Sequence, residues 1–388
     1  MRDGMDQDVF SAFIRQLQGY VRQRLIPAEK EIIATGLIPE PILTEMREMG
    51  LFGITVPEAY GGAGMNVSQY VETIRELSYA MPCFKTVISI NIGMTGSAIA
   101  KSGTEAQKAQ WLPRLAAGEI ASFGLTEPGS GSDSAGMQSI AVRHGDGYVL
   151  NGTKRYISNA PFAKIALIMA RTHPEALPGN AHISAFIVPM DTPGITVGKS
   201  DKTMGQAGSH IADIIMENVQ LPADALLGGV EGKGFRQAML SLDNGRLSVA
   251  GAAAGYARRA LETGVRYATE RKAFGEPISN FQLIQAMIAD SEAELYAAEC
   301  MIADACRRAD AGEKVLLKAA AAKMFASEAC CRIADRMVQI HGGAGYLAEY
   351  EAERFFRDSR IYRIYEGTTQ ILQLVIAKQV LRDLAAGT

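Results

Sequence analysis

Hydrophobic and polar positions change their period twice along this chain of 388 residues. In residues 7–48 apolar side chains recur at helical spacing, with Phe10, Phe13, Ile14 and Leu17 on one face. Pro27 and Pro39 punctuate the stretch, and Pro39 suits a helix start. LFGITVPEAYGGAG (51–64) breaks the pattern, because Pro57 and the glycines at 61, 62 and 64 demand a loop. Helical character resumes over 67–77. It continues through INIGMTGSAIA (90–100) and EAQKAQWLPRLAAG (105–118).

In the middle third the period falls to two. SIAVRHGDGYVLNGTKRYIS (139–158) alternates and predicts turns at 145–147 and at 151–152. AKIALIMART, HISAFIVPM, GITVG and HIADIIMENVQLP follow as strand-like runs divided by Pro, Gly and Asp. Residues 119–224 therefore predict an antiparallel β domain, a small barrel or sandwich. The last third is helical again. One long Ala-rich helix is followed by a second with Phe281, Ile284, Ile288, Leu295 and Ile302 on one face, stopping at Gly312. VLLKAAAAKMFASEACCRIADRMVQI and TTQILQLVIAKQVLRDL complete an antiparallel bundle. The expected fold is α+β and mostly α, with helical residues 1–118, a β domain at 119–224 and a helix bundle at 225–388.

Composition narrows the function. At 48% hydrophobic and 21% charged the chain is an ordinary globular protein, long enough for two or three domains. A net charge of −3 argues against a basic nucleic-acid binder. No apolar run is read as reaching the ~20 residues of a membrane-spanning helix. The opening MRDGMDQDVF carries three acids and does not read as a secretory signal, so a reducing, cytoplasmic location is expected. The five cysteines are odd in number and contain no C-x-x-C pair; Cys300 and Cys306 read as small buried apolar residues. Histidines 144, 173, 182, 210 and 341 are scattered without H-E-x-x-H spacing, and no metal site is expected.

Five segments could carry chemistry. In LTEPGSGSD (125–133), Pro128, Gly129 and Gly131 expose backbone N–H groups beside the hydroxyls of Thr126, Ser130 and Ser132. Such a loop can cradle an anion or the polar edge of a heterocycle, or it can be a plain connecting turn. The cations of RKAFG (271–275) suit either the end of a helix or a diphosphate. Gly342 and Gly343 in QIHGGAGY (339–346) suit a helix C-cap and a close backbone approach. Gly245, in LDNGR (242–246), costs a helix about 1 kcal/mol against Ala, which implies a kink or something packed on bare backbone. In RIYEGTTQI (363–371), Glu366 is a solvated loop charge or a base held in an apolar pocket. Gly367 permits a tight turn there, and Thr368 or Thr369 can cap the last helix.

LTEPGSGSD, RYIS, LDNGR, RKAFG, QIHGGAGY and IYEGTTQI, in this order over residues 8–385, resemble the acyl-CoA dehydrogenase family. The resemblance implies an N-terminal helical domain, a central β-barrel and a C-terminal four-helix bundle, assembled as a homotetramer, a dimer of dimers. It implies FAD, an acyl-CoA thioester substrate, and an electron-transfer flavoprotein as acceptor. The implied reaction is α,β-desaturation. Glu366 is the implied base for the α-proton, and hydride passes to flavin N5. Phe123, Leu125, Thr126, Gly131 and Ser132 resemble the loop along the isoalloxazine, Ser132 also reaching toward substrate. Tyr156, Ile157 and Ser158 resemble a W-I-T or W-I-S segment, with Tyr in place of the usual Trp. Arg271, Phe274 and Gln282 resemble diphosphate and adenine contacts made from a neighbouring subunit, and Gln339, Gly342 and Gly343 resemble another part of that site. Thr368 and Gln370 resemble adenosine-side contacts. Asp243 and Arg246, with Tyr365 and Gly367, resemble residues around the CoA chain and acyl pocket.

Some members of the family carry the base just before the Arg of the L-D-N-G-R helix; Gly245 stands there in this chain. Ala207, Ile211 and Gln373 depart from the family pattern. The small residues Gly93, Thr95, Gly96 and Ser97 imply either room for an acyl group or close helix packing. A flavin oxidase, oxygenase or desulfinase on the same fold, and a helical scaffold without flavin, are the competing readings. Glu366 speaks against the first; Glu366, Arg271, Gln282 and Ser158 together speak against the second.

Overall fold

The computed structural model describes residues 4–172 and 182–386, without the side chains of 243 and 244; His173 lies outside the described residues. The N-terminal third holds helices α1 (Gln7–Tyr20), α2 (Ile26–Thr35), α3 (Glu40–Glu48) and α4 (Val67–Leu77), then α5 (Pro82–Ile88), α6 (Ser97–Ser102) and α7 (Glu105–Ala116). Pro27 does not interrupt the first helix. It lies in the first turn of α2, directly after a π-helical turn at Val21–Leu25 that carries the helix through without the Pro27 N–H. Capping boxes start α4 (Asn66 with Gln69) and α7 (Thr104 with Gln107). A π-helical stretch, Ser89–Gly96, joins α5 to α6. The run Pro82–Ser102 is, against the sequence reading, long and apolar enough to cross a membrane. It is 83% buried inside the protein and serves as a core helix.

The middle third is a curled seven-stranded sheet of β1 (Ala121–Gly124), β2 (Ile140–His144), β3 (Gly147–Ser158), β4 (Ile165–Arg171), β5 (Ile183–Pro189), β6 (Ile195–Val197) and β7 (Ile211–Leu221). Most pairs are antiparallel, but β1 and β2 both run parallel to β4. β4 is buried on both faces. Ile165, Leu167 and Met169 face the helical core; Ala166, Ile168 and Ala170 face the sheet's own interior. The expected turn at 151–152 is absent. β3 runs through it with a register shift, and Gly152 takes φ +140° where a Cβ would sit 2.3 Å from Ser139 Oγ.

The last third holds α8 (Gly234–Glu270), a small hairpin of β8 (Lys272–Ala273) and β9 (Glu276–Pro277), α9 (Gln282–Asp310), α10 (Leu316–His341), α11 (Glu351–Ser359) and α12 (Thr369–Ala385). The short α11 was not foreseen. Cys306 is buried as expected, whereas Cys300 is exposed. Glycines let the neighbours of α8 come close. A Cβ at Gly255 would stand 2.0 Å from the Arg75 carbonyl of α4, and one at Gly264 would stand 2.0 Å from Met337 Sδ of α10. Buried Glu29 of α2 accepts from Arg259 of α8, Arg354 of α11 and the Met81 N–H. Asp310, at the end of α9, accepts from Val67 and Ser68 at the start of α4. These ties fix the N-terminal helices on the bundle, and the interior they share contains Glu366.

Candidate active site

The chain reaches α12 through two consecutive residues of positive φ, Glu366 at +56° and Gly367 at +94°. Gly367 adopts this region freely, whereas for Glu366 it is strained backbone of the kind held at functional sites. Thr368 caps α12, its Oγ1 accepting from the Ile371 N–H at 3.2 Å. Lys323 of α10, fully buried, donates from Nζ to the Gly367 carbonyl at 2.7 Å and pins the turn. The Glu366 N–H has no hydrogen-bond partner among the described residues.

This turn presses the Glu366 carboxylate against bare helix backbone. A Cβ on Gly245 of α8 would lie 2.7 Å from Glu366 Oε2. Of the two readings of Gly245, the packed group is the correct one, and that group is the carboxylate. Oε2 is buried without a hydrogen-bond partner among the described residues. Burial raises the Glu366 pKa to about 7, against the opposing charges of Lys85, Arg246 and Lys323. A carboxyl titrating near neutrality beside an unused amide is equipped to move a proton on a bound molecule.

Arg246 is buried one residue after Gly245, while the Asp243 side chain lies outside the described residues. Tyr365 is half-buried, and its Oη accepts from Lys85 Nζ at 3.2 Å. Sequence reasoning missed Lys85 and Lys323. The available signal was a single charge in each of two apolar runs, PCFKTVI and AAAAKMF. Gly93 is explained by packing: a Cβ there would stand 2.3 Å from Tyr70 Oη. Behind Tyr70 lies a cavity of about 260 Å³ that Ser97, Met65 and Asp310 also line.

A second group gathers on β1 and β3. Phe123, Leu125 and Ile157 are buried, Thr126 and Ser158 half-buried, and Gly131, Ser132 and Tyr156 exposed. The Arg155 N–H donates to Thr126 O at 2.9 Å, which brings the two predicted segments together. Glu127 anchors the loop from beneath. Its carboxylate accepts from Lys154 Nζ at 2.6 Å and from the Gln138 and Ser139 N–H groups at 2.5 and 3.0 Å. Above this anchor, the N–H groups of Gly131 and Ser132 have no partner among the described residues, and open space surrounds Gly131. Tyr156 takes φ +57° in the irregular part of β3 and leaves an aromatic face exposed.

The third group lies at the far end of the bundle. Arg271, Phe274, Gln282, Gln339, Gly342 and Gly343 are all exposed. Tyr267 stacks on His341, which places the ends of α8 and α10 together. Arg271 is 26 residues beyond Gly245, roughly 39 Å along a straight helix, so this group stands apart from Glu366 within one chain. Phe274 is 97% exposed, again at positive φ. Gln370 is exposed on α12.

Three family profiles tile the chain: acyl-CoA dehydrogenase N-terminal domain over residues 8–119, middle domain over 122–219 and C-terminal domain over 232–381. The chain belongs to the acyl-CoA dehydrogenase family. A probable acyl-CoA dehydrogenase of Bacillus subtilis is 41% identical over 94% of this chain and 96% of the relative. The CarC subunit of the caffeyl-CoA reductase–Etf complex of Acetobacterium woodii is 41% identical over 91% of this chain and 92% of the relative. The structure of butyryl-CoA dehydrogenase from Megasphaera elsdenii superposes with a TM-score of 0.93 at 35% identity, over 98% of this chain and all of that one. This family is one of FAD-dependent oxidoreductases. The residues present fit that cofactor: the loop after β1 offers unpartnered N–H donors at Gly131 and Ser132, and β3 leaves the Tyr156 ring exposed.

Proposed function

We propose that this chain catalyses α,β-desaturation of an acyl-CoA thioester, with Glu366 as the base that takes the α-proton. The observation that carries the reading is the Glu366 carboxylate itself, its Oε2 buried without a partner against Gly245 and its pKa raised to about 7. The unpartnered Glu366 N–H donates to the thioester carbonyl and stabilises the negative charge that forms there. Lys85, Arg246 and Lys323 keep part of the base ionised at neutral pH. FAD, when bound, supplies the hydride acceptor. Phe123, Leu125, Thr126, Gly131, Ser132 and residues 156–158 hold its ring end. Arg271, Phe274, Gln282, Gln339, Gly342 and Gly343 of a second copy hold its diphosphate and adenine in a homotetramer, and Thr368 and Gln370 lie on the adenosine side. Support for the second copy is the exposed apolar surface around Phe274, Leu283 and Tyr346 and the distance of this end from Glu366. An electron-transfer flavoprotein is the proposed acceptor, since the CarC relative is named as part of an Etf complex.

The same relative is named a reductase, which favours a second direction on the same site: protonated Glu366 would deliver its proton to the α-carbon of an enoyl-CoA, and FAD in its reduced form would supply the hydride for the β-carbon. Anaerobic titration of the oxidised flavoprotein with saturated CoA thioesters, and of the dithionite-reduced flavoprotein with α,β-unsaturated ones, decides between them. Loss of flavin absorbance on adding a saturated thioester is the expected result; no response to any thioester removes the reading. A separate expectation concerns Arg271. Arg271→Ala is expected to lower flavin retained through gel filtration several-fold by removing a charge-assisted contact. Full retention would show that this exposed end holds no part of the cofactor.

A further inference from the structure

Lys85 is the one charged residue between Met81 and Ala100. Every residue of α5 around it is buried, and Lys85 itself is only 3% exposed. Its hydrogen bond is to a neutral group, the Tyr365 hydroxyl at 3.2 Å. The Tyr365 and Tyr362 rings lie 5.1 and 5.8 Å from Nζ. Several other buried cations have close anionic or carbonyl partners, Arg171 among them through the Met137 and Ala135 carbonyls. Lys154 has Glu127 at 2.6 Å, Arg354 has Glu29 at 2.8 Å with Arg259 on the same carboxylate, and Lys323 holds the Gly367 carbonyl at 2.7 Å. Lys85 forms no ion pair among the described residues. Glu366 is the one charge that acts on it, and burial pushes the ammonium down to about 8.

A buried ammonium requires a counter-charge or loses its proton. Glu366 is a poor permanent partner, because it lies outside ion-pair distance and must itself take up a proton. An anion arriving with the substrate fits better. The phosphates of CoA are separated from the thioester by the whole pantetheine arm. With the thioester at Glu366 they cannot reach a lysine that touches Tyr365, so the anion belongs to the acyl portion.

We propose that Lys85 binds a carboxylate carried by the acyl chain, and that the substrate is the CoA thioester of a short dicarboxylic acid. This inference rests on Glu366 as the base of an acyl-CoA site. The desaturation is unchanged; Lys85 selects which thioester undergoes it. The tyrosine rings hold the ammonium in place from the side, and the carboxylate replaces the water it lost on burial.

The test uses the flavin-loaded protein and two matched series, succinyl-, glutaryl- and adipyl-CoA against butyryl-, pentanoyl- and hexanoyl-CoA. Rates of anaerobic flavin reduction give kcat/KM for each. At least one dicarboxylic thioester is expected to exceed its matched partner by about 10- to 100-fold, the value of one charge-assisted hydrogen bond. In Lys85→Met that ratio should collapse toward unity, and Lys85→Arg should restore much of it. The ratio is the readout because any effect of Lys85 on the Glu366 pKa acts on both series alike. Reduction by the monocarboxylic series alone leaves Glu366 standing and overturns the proposal, as does an equal effect of Lys85→Met on both series. Reduction by neither series removes the base assignment and this inference with it. If Lys85→Met fails to hold flavin, the wild-type ratio decides.

Discussion

Glu366→Gln is expected to keep the flavin and to lose about 10²- to 10⁴-fold in turnover, the range a positioned general base contributes. The amide fills the same space against Gly245 but accepts no proton at any accessible pH. The same substitution should stabilise the fold. The folded-state pKa of Glu366 lies at about 7, above the ~4.3 of an unfolded glutamate. Between those values the folded protein holds a proton that the unfolded chain has released. Wild-type stability therefore falls as pH rises through this window and is flat above it. The glutamine variant escapes that loss, so its advantage should grow from pH ~4 to ~7 and reach about 1–3 kcal/mol. Wild-type kcat/KM should rise with pH through about 7. Thermal unfolding at pH 5 and pH 8, with a pH–rate profile, checks both signs. Unchanged turnover in the variant would remove Glu366 from the chemistry, and a variant less stable at pH 8 would contradict the buried-charge account.

How much of this could be read from sequence depends on how local each cause is. The helices Val67–Leu77 and Glu105–Ala116 were legible because periodicity and capping residues lie inside the segments themselves. The 151–152 turn was misread for the opposite reason. An Asn-Gly pair favours a tight turn locally, but Ser139 packed against Gly152 turns it into an irregularity within one long strand. Helix α11 was hidden by its charges: buried Arg354 and Asp358 find their partners on Glu29, Tyr256 and Gln206, far away in sequence. In the site, Gly245 and Glu366 each permitted two readings. Their contact across the fold chooses between them, since the bare backbone of one is the space filled by the carboxylate of the other. Lys85 was invisible in the same way, because the hydroxyl it meets on Tyr365 is 280 residues along the chain. The positive φ of Tyr156, Phe274 and Glu366 is likewise a tertiary imposition that their side-chain types do not announce.

The second large effect is expected at Glu127, which lies beneath the loop. Its carboxylate holds Lys154, fully buried, and the N–H groups of Gln138 and Ser139 under the 125–133 loop. Glu127→Gln removes the counter-charge of the Lys154 ammonium, whose other contacts are Leu125 O at 3.4 Å and Met137 Sδ at 3.9 Å. Removing one partner of a buried pair costs about 3–5 kcal/mol, because the remaining charge stays out of water. Lys154, already lowered to about 8 by burial, should then lose its proton more readily still. Lys154→Met should be milder, since Glu127 keeps two backbone donors and lies at the edge of the loop. The double variant Glu127→Leu, Lys154→Met should recover only part of the loss. It removes both charges but orphans the Gln138 and Ser139 N–H groups, at about 1–3 kcal/mol for each that finds no water. Thermal unfolding should therefore rank the wild type first, then Lys154→Met, the double variant and Glu127→Gln. Flavin retention should follow the same order, because the loop that offers Gly131 and Ser132 is the part set loose. A Glu127→Gln protein that unfolds like the wild type but retains no flavin would show that the pair serves the cofactor directly and not the fold beneath it.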